Sequence, residues 1–141
     1  MDLTTALAFA LNRKQGTLAT IRANGRPQLS NIMFVPGEGG SIVISVTDTR
    51  AKTANLRRDP RASLYVVGDT FYEWVVIEAT AELSPVAADP HDATVDALVA
   101  YYKAGSGEHP DWEEYRAAMV SDRRLVLTLR PERAYGMGLP E

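Results

Sequence analysis

Three glycine-bearing turns constrain most of what this chain can become. Asn24-Gly25 stands between two apolar-rich runs, GTLATIRA (residues 16–23) and RPQLSNIMFV (26–35). Both turn positions tolerate positive φ, so the dipeptide is a strong signal for a two-residue β-hairpin. Gly37-Glu38-Gly39-Gly40 makes a second turn before SIVISV (41–46), and Gly68-Asp69-Thr70 a third, between ASLYVVG (62–68) and FYEWVVIEATAEL (71–83). A last run, RRLVLTLRP (123–131), alternates Leu125, Leu127 and Leu129 with Val126, Thr128 and Arg130, as a strand with one buried face does. Six strands joined mostly by tight hairpins predict an antiparallel sheet that closes on itself as a barrel. Helices are expected at 3–12, 49–58, 90–104 and 110–120, peripheral to a mainly β, α+β fold.

At 141 residues the chain reads as one domain, 1–141, long enough to bury its own core. It has no cysteine, which excludes disulfides, thiolate metal sites and cysteine nucleophiles and fits a reducing, cytoplasmic setting. No apolar run reaches the roughly 18 residues of a membrane span. The opening MDLTTALAFALNRK begins with an acid and lacks a basic leader, so it reads as a short amphipathic helix rather than a signal peptide.

Charge is unevenly spread. Between Arg50 and Arg61 five bases (Arg50, Lys52, Arg57, Arg58, Arg61) and Asp59 give +4, which leaves −7 for the rest of a chain whose net charge is −3. Sequence-independent nucleic-acid affinity comes from many distributed phosphate contacts. One basic patch on an acidic body suits a small anion better.

In TDTRAKTANLRRDPRAS (47–63), Asp48 or Thr49 is the expected N-cap, and Asp59-Pro60 ends the helix. Arg50 and Lys52 then fall in the first turn, where each cation costs about 0.3–1 kcal/mol against the helix dipole. A phosphate held by that turn reverses the penalty. A solvated helix salted against the acidic remainder accounts for the same charges, and on charge alone both accounts stand. Arg57 and Arg58 suit a helix C-terminus, and Arg61 reads as ordinary surface.

The strand GRPQLSNIMF puts Gln28, Ser30 and Ile32 on one face and Leu29, Asn31 and Met33 on the other, so both faces mix polar and apolar groups. Gln28 and Ser30 offer donors and acceptors suited to the edge of a heterocycle. A solvated edge strand is the alternative. His91 and His109 fall in loops and are too separated for a transition-metal site, so no metal is expected. No protein acid or base is assignable as catalytic.

Taken together, GTLATIRANGRPQLSN, TRAKTANLRRDPRAS, WVVIEATAEL and DWEEYRAAMVSDRRLVLTL resemble the split β-barrel flavin/deazaflavin oxidoreductases, relatives of pyridoxamine 5′-phosphate oxidase. Within them the chain looks most like the mycobacterial-type F420-dependent branch. The resemblance implies a six-stranded split barrel and a homodimer with cofactor sites at the subunit interface. It also implies coenzyme F420, whose reduced deazaflavin donates a hydride from C5 to a small conjugated substrate. By the same resemblance Arg50 and Lys52 hold the cofactor phosphate. Pro27, Gln28, Ser30 and Asn31 contact the ring, and Ser45 and Asn55 lie near the cofactor. Tyr72 and Trp74 are the aromatics expected from the partner subunit. Related sequences often carry Trp where this chain has Tyr72, which implies a differently arranged lid. Burial of Trp74 in the dimer core is the other account of that residue.

Two further classes remain. An FMN enzyme of pyridoxamine-phosphate-oxidase type would use the same Arg50 and Lys52, although the uncharged SNIMFV lacks that family's extended basic pattern. A non-catalytic carrier of the deazaflavin or of a hydrophobic ligand fits the absence of an assignable acid or base. The expected partners are a second copy and a small molecule, with neither nucleic acid nor membrane.

Overall fold

The structure, a computed structural model, describes residues 1–140. In chain order the elements are α1 (Leu3–Arg13), β1 (Gln15–Ile21), β2 (Pro27–Met33), β3 (Val35–Pro36), β4 (Ile42–Thr47), α2 (Ala51–Arg58), β5 (Arg61–Val67), β6 (Trp74–Leu83), α3 (Ala93–Ser106), α4 (Trp112–Ser121) and β7 (Arg124–Met137). The strands form one antiparallel sheet in the order β2-β1-β5-β6-β7-β4-β3. Its first and last members, β2 and β3, are separated in sequence by Phe34 alone. The two edges must therefore meet, and that connection curls the sheet into a split barrel.

Phe34 also explains why there are seven strands instead of six. Its side chain is buried in the core and its N–H donates to the Lys14 carbonyl at 3.0 Å. The run expected as one strand over 26–35 therefore breaks: β2 pairs with β1, and β3 pairs with β4. β3 and β4 are joined through a short 3₁₀ turn, Glu38–Gly40.

The last strand runs six residues beyond the expected end at Pro131. A proline cannot donate to a ladder, but it is tolerated at a bulge. The register shifts between Glu78 and Ala79, so that Ala79 faces Pro131, Glu78 faces Arg133 and Glu132 is the extra residue. Pairing then continues to Trp74 opposite Met137. In the β5–β6 connection, the Gly68 N–H donates to the Glu73 carbonyl at 2.6 Å. Phe71 and Tyr72, expected within the strand, thus lie in the turn.

The barrel core is aliphatic: Leu18, Leu64, Val75, Ile77, Leu125, Leu127 and Leu129 are buried from four strands. α1 seals it with Ala6 and Ala10, both fully buried. α3 and α4 cover the opposite side, where Val95, Leu98, Val99 and Tyr115 pack on Val126. These helices begin three and two residues later than expected because aspartates cap them. Asp92 accepts from the Val95 N–H at 2.8 Å and Asp111 from the Glu114 N–H at 3.1 Å.

The N-terminus of α2 corrects the expected cap. Arg50 itself is the N-cap residue, and no side chain bonds to the open turn. Asp48 is drawn away: its carboxylate accepts from Arg57 at 2.6 Å and from Arg123 at 2.9 Å. Arg123 lies on the far side of a β-ladder, and two cations outcompete a local N–H for the same carboxylate.

Candidate functional site

β2 is an edge strand, and the start of α2 follows directly from β4, whose opposite neighbour in the sheet is β7. Where these segments converge, a cavity of about 490 Å³ opens. Gln28, Ser30 and Asn31 of β2 line it, as do Ser45 of β4 and Arg50 and Lys52 at the head of α2. Six residues singled out from the sequence thus share one cavity. Among the described residues its wall contains no carboxylate, and neither Arg50 nor Lys52 has an acidic partner. Burial first, then the Arg50 and Arg124 charges, hold the Lys52 ammonium below its ordinary pKa. An uncapped helix end with unpaired cations and no acid nearby is electrostatically suited to an anion.

Two lining residues escaped the reading of the sequence. Arg124 faces Thr47 across the β4–β7 ladder, and its Nη1 donates to Ser45 Oγ at 3.3 Å. Its Nε is the buried side-chain polar atom left without a partner among the described residues. Alternation with Leu125 hinted at which face Arg124 occupies; that this face meets Ser45 depends on a pairing 79 residues apart. Tyr101 of α3 closes another wall, its hydroxyl donating to the Met33 carbonyl at 3.0 Å. Burial raises its pKa, so it is a neutral phenol at physiological pH.

Other expected residues lie elsewhere. Pro27 begins β2 opposite Ile21 and lines a separate hollow with Thr20 and Arg61. Asn55 is buried inside the fold, where its Nδ2 donates to Thr20 Oγ1 at 3.1 Å and its Oδ1 accepts from Arg58 at 3.2 Å. It lies nearly one helical turn beyond Lys52, far enough along α2 to meet Thr20 of β1 instead of the cavity that Lys52 lines. Tyr72, in the exposed β5–β6 turn, and Trp74 do not line the cavity of their own chain. Trp74 packs between Tyr65 and Tyr135, with ring centroids 6.0 and 6.2 Å away.

The other face of the same sheet is apolar. Leu29, Met33, Tyr65, Val67, Tyr135 and Met137 are all exposed large hydrophobics. The register lays Met33 beside Gln15, Tyr65 beside Thr17, and Trp74 between Val67 and Met137. Asn31 bridges the two faces: it lines the polar cavity, accepts from the Thr17 hydroxyl at 2.9 Å, and borders a second hollow with Tyr65 and Val67.

Solved structures share this architecture. A conserved hypothetical protein of Mycobacterium tuberculosis superposes with a TM-score of 0.72 at 24% identity, covering 97% of this chain and 84% of that one. An F420 reductase superposes with a TM-score of 0.63 at 25% identity over 90% of this chain and 94% of that one. The heme storage protein HutZ of Vibrio cholerae has the same fold, with a TM-score of 0.70 at 20% identity over 94% of this chain and 92% of that one. The family model for pyridoxamine 5′-phosphate oxidase matches residues 4–138, nearly the whole chain. With that match, the split barrel and its neighbours in solved structures, the chain belongs to the pyridoxamine 5′-phosphate oxidase family.

Proposed function

We propose that this protein is an F420-dependent reductase that passes a hydride from the reduced deazaflavin to a small conjugated C=C or C=N acceptor. The observation that carries the reading is the convergence of Arg50, Lys52, Gln28, Ser30, Asn31 and Ser45 on one cavity that lacks acids. The similarity to an F420 reductase supports the choice of deazaflavin. The family includes oxidoreductases, and hydride chemistry belongs to the cofactor, so the missing protein acid or base is no obstacle.

In this reading Arg50 and Lys52 hold the cofactor phosphate at the uncapped end of α2. Gln28 and Ser30 hydrogen-bond the ring edge, with Asn31 steadied by Thr17. Ser45 orients Arg124 at the rear of the cavity. Pro27 and Asn55 serve the scaffold instead.

We further propose a homodimer. The apolar face carrying Leu29, Met33, Tyr65, Val67, Tyr135 and Met137 is of the kind that a second copy covers. In that dimer Tyr72 and Trp74 of one copy shield the cavity of the other and exclude water from the reacting carbon.

Fluorescence titration of the purified protein with coenzyme F420, and in parallel with FMN, tests the reading. Tighter binding of the deazaflavin, lost in an Arg50→Ala/Lys52→Ala variant that still folds, is the expected result. A preference for FMN moves the chain to the oxidase branch and makes pyridoxamine phosphate the first substrate to assay. Binding of neither overturns the proposal.

A further inference from the structure

The sequence neighbours Arg123 and Arg124 have opposite fates. Arg123 donates to Asp48 at 2.9 Å, outside the cavity. Farther along β7, Arg130 is likewise paired, with Glu82 at 2.9 Å. Arg124 has no carboxylate within salt-bridge distance among the described residues. Its one side-chain hydrogen bond goes to a neutral hydroxyl, at the long distance of 3.3 Å. Its Nε is buried and unpartnered. It shares the wall of the polar cavity with Arg50 and Lys52.

Burying part of a guanidinium without a counter-ion costs free energy, and two neighbouring cations add to the cost. Neutral packing would be served as well by a methionine or leucine at this position, and Val126 and Thr128 on the same face show that β7 accepts such residues. A cation is retained where an anion is to be met. Three cations around one cavity also set a charge count. A singly charged phosphodiester would leave two of them uncompensated, whereas a phosphate dianion, or a phosphodiester with a neighbouring carboxylate, would leave one.

We propose that Arg124 is a third anchor of this cavity and that the ligand end held there carries two negative charges. The proposal rests on the anion-site reading of Arg50 and Lys52 and adds to it the charge of the ligand and the residue that selects it. Ser45 is then a positioning residue, whose hydroxyl keeps the Arg124 fork turned toward the cavity.

Calorimetric titration with methyl phosphate and with dimethyl phosphate isolates charge from the rest of any cofactor. At about pH 8 the first is a dianion, since a phosphate monoester loses its second proton near pH 6. The second is a monoanion at any accessible pH. Wild-type protein is expected to bind methyl phosphate about tenfold more tightly than dimethyl phosphate. In Arg124→Met that preference is expected to shrink to about twofold, while Arg124→Lys keeps most of it. Arg124→Gln replaces Arg124→Met as the neutral variant if the latter fails to fold by circular dichroism. Wild-type affinities and preference in the neutral variant, together with loss of binding in Arg50→Ala/Lys52→Ala, would overturn the role of Arg124 and leave the anion site standing. Equal binding of the two esters by the wild type would overturn the two-charge inference. Binding of neither ester would remove both this inference and the phosphate reading beneath it.

Discussion

Asn55 Nδ2 donates to Thr20 Oγ1 over 3.1 Å, tying the middle of α2 to β1 with both residues buried. Thr20 is on the same side of β1 as the core residue Leu18, so this bond fixes how α2, and with it Arg50 and Lys52, sits on the barrel.

Asn55→Ala is therefore expected to destabilise the fold by about 1–3 kcal/mol, the usual cost of leaving a buried polar partner unsatisfied. Methyl phosphate affinity, measured where the variant is still folded, should remain at the wild-type value. Urea titration gives the first number and calorimetry the second. Normal stability with lost affinity would return Asn55 to the binding site.

Anion binding should weaken as pH rises through the titration of Lys52. Burial and the flanking Arg50 and Arg124 charges lower its folded pKa below the ordinary 10.5. In the free protein the unfolded chain therefore holds this proton to higher pH, and Lys52 contributes stability that grows as pH climbs from the folded pKa toward 10.5. A bound anion favours the ammonium and reverses the shift. Methyl phosphate affinity should be greatest below the folded Lys52 pKa and decline above it, a decline that flattens in Lys52→Met. An unchanged pH profile in that variant would exclude Lys52 as the titrating group.

Asp59, which ends α2, has its pKa held down to about 2, chiefly by the Arg61 side chain and next by the Arg61 backbone N–H. Arg61 Nη2 and Nε lie 2.8 and 3.1 Å from its carboxylate oxygens. The depressed value means that the contribution is complete above the ordinary 3.8 and is lost as pH falls through about 2. Arg61→Ala should return the Asp59 titration, followed by carboxyl-carbon NMR, toward 3.8, with little change in stability at neutral pH because the pair is exposed.

Tyr65 stands at the centre of the apolar outer face, 42% exposed and in contact distance of Trp74. Tyr65→Glu buries a charge in any interface formed there and should turn a dimer into a monomer in sedimentation velocity, with the secondary structure retained. A wild-type protein that sediments as a monomer with cofactor bound would contradict the shared-site dimer.

Much of the fold was legible because its signals are local. Asn24-Gly25 marks the hairpin, although the loop is the three residues 23–25 between bonded Arg22 and Arg26 and only Gly25, at φ 85°, takes positive φ. The Leu125, Leu127, Leu129 alternation marks a buried face without reference to any partner. The same holds for Gln28, Ser30, Asn31, Arg50 and Lys52: polar groups on an edge strand and cations at a helix head are conspicuous where they stand. Pro131 was misleading for the complementary reason. Alone it stops a strand, and only the register of β6 against β7 supplies the bulge that carries pairing past it.

What the sequence determined by itself was the set of hairpins, the periodicity that separates core from surface, and the excess of positive charge around α2. Tertiary structure decided where that charge is used. Asp48 would cap α2 in isolation, but Arg123, brought across the β4–β7 ladder, takes it as a counter-ion. Arg124, one residue farther on and the first of β7, joins Arg50 and Lys52 in the cavity. Arg123 ends the turn before β7 at φ 53° and Arg124 opens the strand, so their side chains part, and where each lands, on a carboxylate or in a cavity, is set by segments more than seventy residues away.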